Sequence, residues 1–224
     1  MPEEQPPKRR YNSTRRQAQA AETRRQIVEA AGRLFAAHGY GGTTMEMLAR
    51  EAGVAVETVY ATFGNKRAVL TRLVEVSVVG DEEPGGLLDR PGPQAVRRET
   101  DQRRQIGMFA HDIRTIMQRM SPIFEILRSA AKTEPEIAGL LEQILQARLQ
   151  GMAFFIEALL LNGALRPGLS ATSAAETAWA LSSAEMYRLL TVDRGWSGDQ
   201  YEAWLGESLI LLLLPSAGGQ NPGA

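Results

Sequence analysis

The sequence predicts an all-α protein with a small N-terminal domain and a larger C-terminal helical domain. Apolar residues recur at helical spacing through most of the 224 residues. No segment shows the strict alternation that is typical of a β-strand, and breaks rich in Gly and Pro separate the helical stretches. A chain of this length can hold two domains and bury a sizeable core.

The charge is divided unevenly along the chain. Residues 1–80 hold 12 Lys/Arg and 8 Asp/Glu, whereas residues 81–224 hold 13 and 18. A basic N-terminal end concentrates a protein near phosphates. Cysteine is absent, which excludes disulfides, thiolate metal sites and a cysteine nucleophile. We expect a cytoplasmic protein with no membrane contact, since residues 1–26 lack the apolar run of a signal peptide and the run at 209–214 is too short to span a bilayer.

The N-terminus is predicted to begin with a disordered basic arm, residues 1–22, because it is rich in proline and charge. Helix one should start near Thr23, where Gln26 completes a capping box, although residues 18–22 could extend it backwards. It should end at Gly39. Its predicted buried face consists of Ile27, Ala30, Ala31, Leu34 and Phe35. The arginines of the arm could lie along a phosphate backbone or in a minor groove, or the arm could be an inert tail.

Two short helices joined by a tight turn are predicted around Gly53. Thr43 and Glu46 form a capping box at the start of the first helix, and Gly53 ends that helix in a left-handed conformation. Its apolar positions are Met45, Leu48, Ala49 and Ala52. Val59 and Phe63 point inward from the second helix, four residues apart. The pattern is that of a helix-turn-helix, whose second helix enters the major groove of DNA, although a packed helical hairpin could imitate it.

Several short motifs surround this pattern. They are Ala30-Ala31-x-x-Leu34-Phe35, Gly39-Tyr40, Thr43-Thr44, Ala52-Gly53-Val54, Tyr60 and Asn65-Lys66-Arg67-Ala68. In this combination, over about residues 23–75, they resemble the N-terminal DNA-binding domain of TetR-family transcriptional regulators. Beyond that stretch the resemblance is one of architecture only. It implies a helix-turn-helix domain over residues 23–79 that includes a connecting helix at 66–79.

The resemblance implies contacts with a double-stranded DNA operator. Thr44, Tyr60 and Lys66 match the family's phosphate-contacting positions, which place the protein without reading sequence. Base reading would fall to the start and outer face of the second helix. The predicted DNA-binding residues are therefore Thr43, Thr44, Ala55, Val56, Thr58, Tyr60, Ala61, Thr62 and Lys66, with Glu57 beside them. Tyr60 could instead be a partly buried structural aromatic.

The second helix departs from the family's common polar pattern. Ala55, Val56 and Ala61 are small and apolar, so their side chains can only meet thymine methyl groups. Specificity would then rest on Thr58, Thr62, DNA shape and the basic arm. The operator sequence does not follow from these residues.

The rest of the chain is predicted to be helical apart from one loop and a tail. The loop, residues 80–93, is dense in Gly, Pro and acidic residues and suggests a mobile flap. The larger domain, residues 94–215, should contain helices at 94–120, from Ser121-Pro122 onward, from Glu134-Pro135 to 161, and at 173–192 and 199–214. Residues 216–224 should form a disordered tail.

The resemblance further implies that the larger domain binds a small-molecule effector and pairs into a homodimer through its last two long helices. The candidate effector pocket consists of Phe109, Met117, Met120, Phe124, Met152, Phe155 and Trp179. Such stripes are also typical of a plain core. The apolar residues available for pairing are Trp179, Leu181, Leu189, Leu190, Trp204, Leu205, Leu209 and Leu212, or these complete the core of one chain.

No catalytic constellation is present in the sequence. Its two histidines, His38 and His111, lie apart, and it has no Gly-rich phosphate loop, nucleophile elbow or HExxH motif. We expect no cofactor, no metal site and no enzymatic activity. The predicted function is that of a ligand-responsive repressor on a palindromic operator. The alternative is a protein of the same fold that binds DNA weakly and acts through other proteins.

Overall fold

The computed structural model describes residues 11–80 and 85–216. These residues form α-helices and connecting turns and contain no β-strand, which confirms the predicted fold class. No helix within them is long and apolar enough to cross a membrane. They form two compact units, one ending at Leu73 and the other beginning at Val74. The predictions for residues 1–10, 81–84 and 217–224 lie outside the described part of the chain.

The first unit contains the predicted helix-turn-helix. Its elements are α1 (Tyr11–Gly42), α2 (Met45–Ala52), α3 (Val56–Phe63) and the first part of α4 (Lys66–Val79). The regular geometry of α1 breaks at Gly39, whose φ of 70° suits glycine. The buried face predicted for α1 is confirmed at Ile27, Ala30, Ala31 and Phe35, while Leu34 is half-buried.

Helix α1 begins at Tyr11 rather than near Thr23, so its first three turns are helical and not a disordered arm. Alanine and glutamine, which favour helix, are frequent in these turns. Arg25 forms ion pairs with Glu22 and Glu29, one turn to either side. Because the side chains of residues 15–21 are exposed, local propensity rather than packing accounts for this extension.

The second unit is built around one long helix. Its elements after α4 are a 3₁₀ turn (Leu87–Asp89), α5 (Pro91–Arg98), α6 (Gln102–Ala130), α7 (Pro135–Leu160), α8 (Ala171–Leu181), α9 (Ala184–Arg188), a π turn (Leu189–Asp193) and α10 (Gly198–Leu213). Helix α6 packs against α5, α7, α9 and α10. It is therefore the central helix of this unit.

The predicted boundary between the helices at 94–120 and from Ser121-Pro122 onward is wrong. The structure instead has α5 end at Arg98 and α6 run without interruption from Gln102 to Ala130. The chain breaks earlier, where the Asp101 carboxylate accepts a hydrogen bond of 2.8 Å from the Arg104 N–H and caps α6. Pro122 lies inside α6 rather than at a helix start. Met120 and Ile123 are buried on either side of it, so both turns pack on one core and the helix continues despite the hydrogen bond that proline lacks.

The helix predicted at 173–192 is also interrupted. Ser182 ends α8, and the Ser183 hydroxyl accepts a hydrogen bond of 3.2 Å from the Met186 N–H and starts α9. The predictions for α7 and α10 are confirmed to within one or two residues, since Pro135 opens α7 and α10 ends at Leu213.

Ion pairs fix the helices that cover α6. Arg128 pairs with Glu185, and Arg188 of α9 pairs with Glu125. At the other end of α6, the His111 Nδ1 lies 3.1 Å from a Glu202 carboxylate oxygen of α10. These contacts hold α9 and α10 in register with α6.

Candidate functional site

Thr44, not Thr43, caps helix α2. The Thr44 hydroxyl accepts a hydrogen bond of 3.3 Å from the Met47 N–H. The Thr43 side chain is fully buried, and its hydroxyl lies 2.9 Å from the Gly39 carbonyl oxygen. The predicted Thr43–Glu46 capping box is therefore wrong, and the N-cap is one residue later, because the end of α1 already engages the Thr43 hydroxyl. A buried Thr43 side chain is not available to DNA.

The turn between α2 and α3 has the geometry that the sequence predicts. Gly53 has a φ of 70° and donates its N–H toward the carbonyls that end α2. The Val54 N–H donates to the Ala49 carbonyl at 3.0 Å. Leu48 and Val59 are fully buried, so they hold α2 against α3. This local packing confirms the helix-turn-helix.

The outer face of α3 presents one aromatic residue among small side chains. Tyr60 is 48% exposed, so about half of its side chain is open to solvent. The Thr62 hydroxyl donates to the Thr58 carbonyl at 2.7 Å, so its oxygen keeps lone pairs for an outside donor. The predicted base-reading positions divide into exposed Ala55 and Ala61 and half-buried Val56, Thr58 and Thr62.

Lys66 holds the segment that precedes α2. Its Nζ donates to the Tyr40 carbonyl at 2.7 Å and to the Thr43 carbonyl at 2.9 Å, and it lies 4.3 Å from the centroid of the Tyr40 ring. Sequence reasoning missed this role, since these partners lie more than 20 positions away in the chain. A phosphate contact by Lys66 stays a prediction.

Most of the predicted effector residues are buried in the second unit. Phe109, Met117, Met120, Phe124, Met152 and Phe155 all belong to its core. The rings of Phe109 and Phe155 stack with centroids 3.8 Å apart and join α6 to α7. In this structure the six residues are packed in the core of the second unit. An effector pocket among them stays a prediction.

Trp179, the seventh predicted effector residue, lines an open groove between α7 and α8. The groove has a volume of about 640 Å³. Its lining residues are Ala131, Ala138, Leu141, Glu142, Leu145, Gln146, Leu149, Glu176, Trp179 and Ala180. None of the other six predicted residues lines it.

Arg148 connects Trp179 to the buried cluster. Its Nη2 donates to the Trp179 carbonyl at 2.9 Å and to the Ser182 carbonyl at 3.2 Å, and its guanidinium lies 5.2 Å from the Trp179 ring centroid. Burial lowers the pKa of Arg148. The Ser182 hydroxyl in turn lies 3.7 Å from the Met152 sulfur. The sequence offered no signal for this chain of contacts, because Arg148 looks like an ordinary surface arginine of α7.

The apolar residues predicted for pairing are only partly buried inside one chain, since Leu189 is 49% exposed and Trp179, Leu181, Leu190 and Leu212 are half-buried. Leu205 and Leu209 are fully buried, and Trp204 is half-buried beside the Tyr201 ring, 5.9 Å between centroids. The excess of apolar residues in α10 therefore largely completes the core of the second unit. Leu211 is the exception on this helix, at 73% exposed.

Comparison with known proteins identifies the fold and the N-terminal domain. Residues 27–73 match the model of the bacterial regulatory proteins, tetR family. The HTH-type transcriptional repressor BepR of Brucella suis biovar 1 (strain 1330) is 28% identical over 168 residues, covering 73% of this chain and 77% of that one.

Two solved structures share the fold. A protein of Saccharomonospora viridis in complex with choline has a TM-score of 0.65 and 21% identity, with 86% of this chain and 98% of that chain covered. The transcriptional regulator FadR of Bacillus subtilis in complex with stearoyl-CoA has a TM-score of 0.62 and 18% identity, with 83% and 97% covered. At these identities the likeness concerns the fold alone. With the helix-turn-helix geometry, the match over residues 27–73 shows that the chain carries the DNA-binding domain of the TetR family of bacterial regulatory proteins.

Proposed function

We propose that this protein is a ligand-responsive repressor that binds a palindromic operator as a homodimer and is released by a small, largely apolar effector. The observation that carries the proposal is the helix-turn-helix of α2 and α3, with Thr44 at the start of α2 and Tyr60 exposed on α3. The similarity to a protein named as a repressor favours repression over activation. A regulator of transcription acts on chromosomal DNA, so we expect it in the cytoplasm.

The proposed DNA contacts divide into anchoring and reading. Thr44 is exposed at the N-terminus of α2, where free N–H groups and the helix dipole favour a phosphate. Tyr60 would hold a second phosphate, and Lys66 would keep the segment before α2 in place. Ala55, Val56, Thr58, Ala61 and Thr62 would meet the base edges. With few polar groups on α3, DNA shape would contribute much of the specificity.

The proposed homodimer would pair α8 and α10 with their copies across a twofold axis. The exposed Leu211 supports this pairing, since a leucine of that exposure on α10 gains from burial. A symmetric dimer presents two recognition helices to two half-sites about 34 Å apart, which accounts for a palindrome.

The proposed effector would bind in the second unit, where Trp179, Arg148, Ser182 and Met152 link the open groove to the methionine- and phenylalanine-rich core. Related folds are solved with choline and with stearoyl-CoA, which supports a small-molecule site without naming its ligand. The effector would release DNA by favouring the arrangement that binds the operator less well. Its effect is limited by its difference in affinity for the two arrangements.

Selection of genomic fragments by the purified protein tests this proposal. We expect enriched fragments to share one inverted repeat, and a complex of two protein chains per repeat by sedimentation. Enrichment without a shared sequence would contradict the regulator. It would favour a protein of the same fold that acts through other proteins, for which the apolar Ala55, Val56 and Ala61 are the supporting observation.

A further inference from the structure

The groove between α7 and α8 combines an apolar floor with two acidic walls. Leu141, Leu145 and Leu149 follow one another at four-residue intervals along α7 and form the floor. The lining runs from Ala138 to Leu149, which is about 16 Å along the helix axis. The volume of about 640 Å³ falls within the range of small-molecule sites. An elongated apolar molecule therefore fits its shape.

The charges of the groove are of one sign. Glu142 stands on the α7 side and Glu176 on the α8 side, and none of the lining residues is basic. Both glutamates are exposed, and neither pairs with a basic side chain within residues 11–80 and 85–216. Arg148 lies next to Trp179, but its guanidinium is engaged by the Trp179 and Ser182 carbonyls and does not line the groove. The groove thus presents negative charge beside apolar surface.

Trp179 adds an aromatic ring to the same wall. In the described part of the chain its indole Nε1 is shielded from solvent and has no hydrogen-bond partner. Because this atom is shielded, Trp179 contributes the surface of its ring to the groove and not a hydrogen bond.

We propose that this groove binds an amphipathic organic cation: an elongated apolar body that carries one protonated amine. The amine would lie between Glu142 and Glu176, and the body would lie on the leucines of α7 beside the Trp179 ring. An amphipathic organic cation would then be the effector of the proposed repressor. Only this consequence for DNA binding rests on the proposed function. Binding itself is independent of DNA.

Isothermal titration calorimetry with three compounds that share one apolar body but differ in charge tests whether the groove prefers a cation. Tetracaine carries the protonated amine, ethyl 4-(butylamino)benzoate is neutral, and 4-(butylamino)benzoate is anionic, while all three share the 4-(butylamino)benzoyl body. At pH 7 we expect tetracaine to bind more tightly than the neutral compound by about fivefold, as two exposed charge pairs provide, and the anion to bind most weakly. Equal affinity for the three compounds, or no binding of tetracaine, would overturn the proposal.

Two variants locate the site. E142Q/E176Q should remove the preference for tetracaine and leave the neutral compound unchanged, whereas the control E134Q/E136Q, an exposed pair at the start of α7, should keep it. A180W should fill the groove and weaken all three compounds, and thermal unfolding should show a retained fold because Ala180 is exposed. Tetracaine binding that survives A180W would place the site elsewhere and overturn the proposal.

Two readouts separate this inference from the proposed function. If the groove were instead buried by a second copy of the chain, A180W would change the sedimentation of the protein, and the ligand site would be wrong. If tetracaine binds as expected but leaves the protein on its selected operator, the site stands and its role as the effector site is rejected. If no operator exists, the calorimetry still decides the ligand class.

Discussion

At the scale of single residues, Tyr60 and Lys66 both match phosphate contacts of the family, yet their surroundings differ. The Tyr60 side chain is 48% exposed on the outer face of α3. Lys66 is half-buried and donates to two carbonyls in front of α2. Loss of either residue should weaken DNA binding, but for Tyr60 through a lost contact and for Lys66 through a displaced helix.

Y60F removes one hydroxyl from the proposed DNA surface. We expect the dissociation constant for the operator to rise about 10- to 100-fold, since hydrogen bonds to charged groups contribute about 1.5–3 kcal/mol. Thermal stability should stay the same because the side chain is exposed. Fluorescence anisotropy with labelled operator measures the first and a melting curve the second. T172V, which deletes an exposed hydroxyl of α8, is the control and should change neither.

K66M keeps the apolar stem of the side chain and removes its ammonium group. The Tyr40 and Thr43 carbonyls then lose their donor, so the free energy of unfolding should fall by about 1–3 kcal/mol. Urea unfolding measures this change. K132M is the matched control, because Lys132 is exposed in the second unit, and should stay within about 0.5 kcal/mol of the parent. Equal stability of the two variants would contradict the structural role of Lys66.

The residue scale also shows what sequence reasoning could reach in the site. The spacing of Leu48 and Val59 predicted their burial correctly, because helical periodicity is a local property. The roles of Lys66 and Arg148 are set by carbonyls distant in the chain, which no local pattern encodes. The sequence does not distinguish Thr43 from Thr44 as a DNA contact, because two adjacent threonines look alike. Only the position of the α1 carbonyls distinguishes the buried threonine from the exposed one.

At the scale of helices, the cap of α2 depends on pH. Hydrogen bonds from the Glu46 backbone N–H and the Thr44 side chain hold the pKa of the Glu46 carboxyl below its ordinary value of 4.5. The unfolded chain then binds more protons than the folded chain in the window between the two pKa values. The stabilisation is therefore present above 4.5 and is lost as the pH falls through the lowered pKa.

An NMR titration of the Glu46 carboxyl tests this cap. The wild-type midpoint should lie below 4.5, and T44V should raise it toward that value. E46Q should reduce the free energy of unfolding at neutral pH, and its difference from the wild type should shrink as the pH falls. A wild-type midpoint at or above 4.5 would show that the carboxylate does not cap α2.

The first turns of α1 offer a second test at this scale. Arg15 and Arg16 are exposed on a regular helix, so their charges are held in a fixed direction rather than on a disordered arm. If they contact the phosphate backbone, R15Q/R16Q should lower the slope of log K against log salt by about 2. The exposed pair Arg103 and Arg104 of α6 provides the control variant R103Q/R104Q, whose slope should match the wild type. An unchanged slope in both variants would show that the first turns of α1 do not contact the DNA backbone.

Helix boundaries show where sequence periodicity fails. Proline at 135 opens α7 as predicted, but proline at 122 lies inside α6. The two prolines look the same locally, and only the core on both sides of Pro122 keeps α6 continuous. Likewise, the break before α6 depends on the Asp101 cap, a short polar signal within an otherwise helical pattern.

At the scale of the whole molecule, the account requires a homodimer. L211R places a charge on the exposed face of α10 without disturbing the core, since Leu211 is 73% exposed. We expect a monomer by sedimentation velocity and a large loss of operator affinity, because two half-sites no longer bind together. L88R, at a residue that is 44% exposed outside α8 and α10, should remain a dimer. A dimeric L211R would show that another surface pairs the chains.

The proposed function depends on the binding of one DNA sequence through phosphate-anchored recognition helices. The most direct test is to titrate the purified protein against its selected operator and a scrambled duplex across a series of salt concentrations. The account predicts a specific complex with the operator that weakens linearly on a log–log plot as salt rises, and far weaker binding to the scrambled duplex. Equal, weak binding to both duplexes at every salt concentration would contradict it.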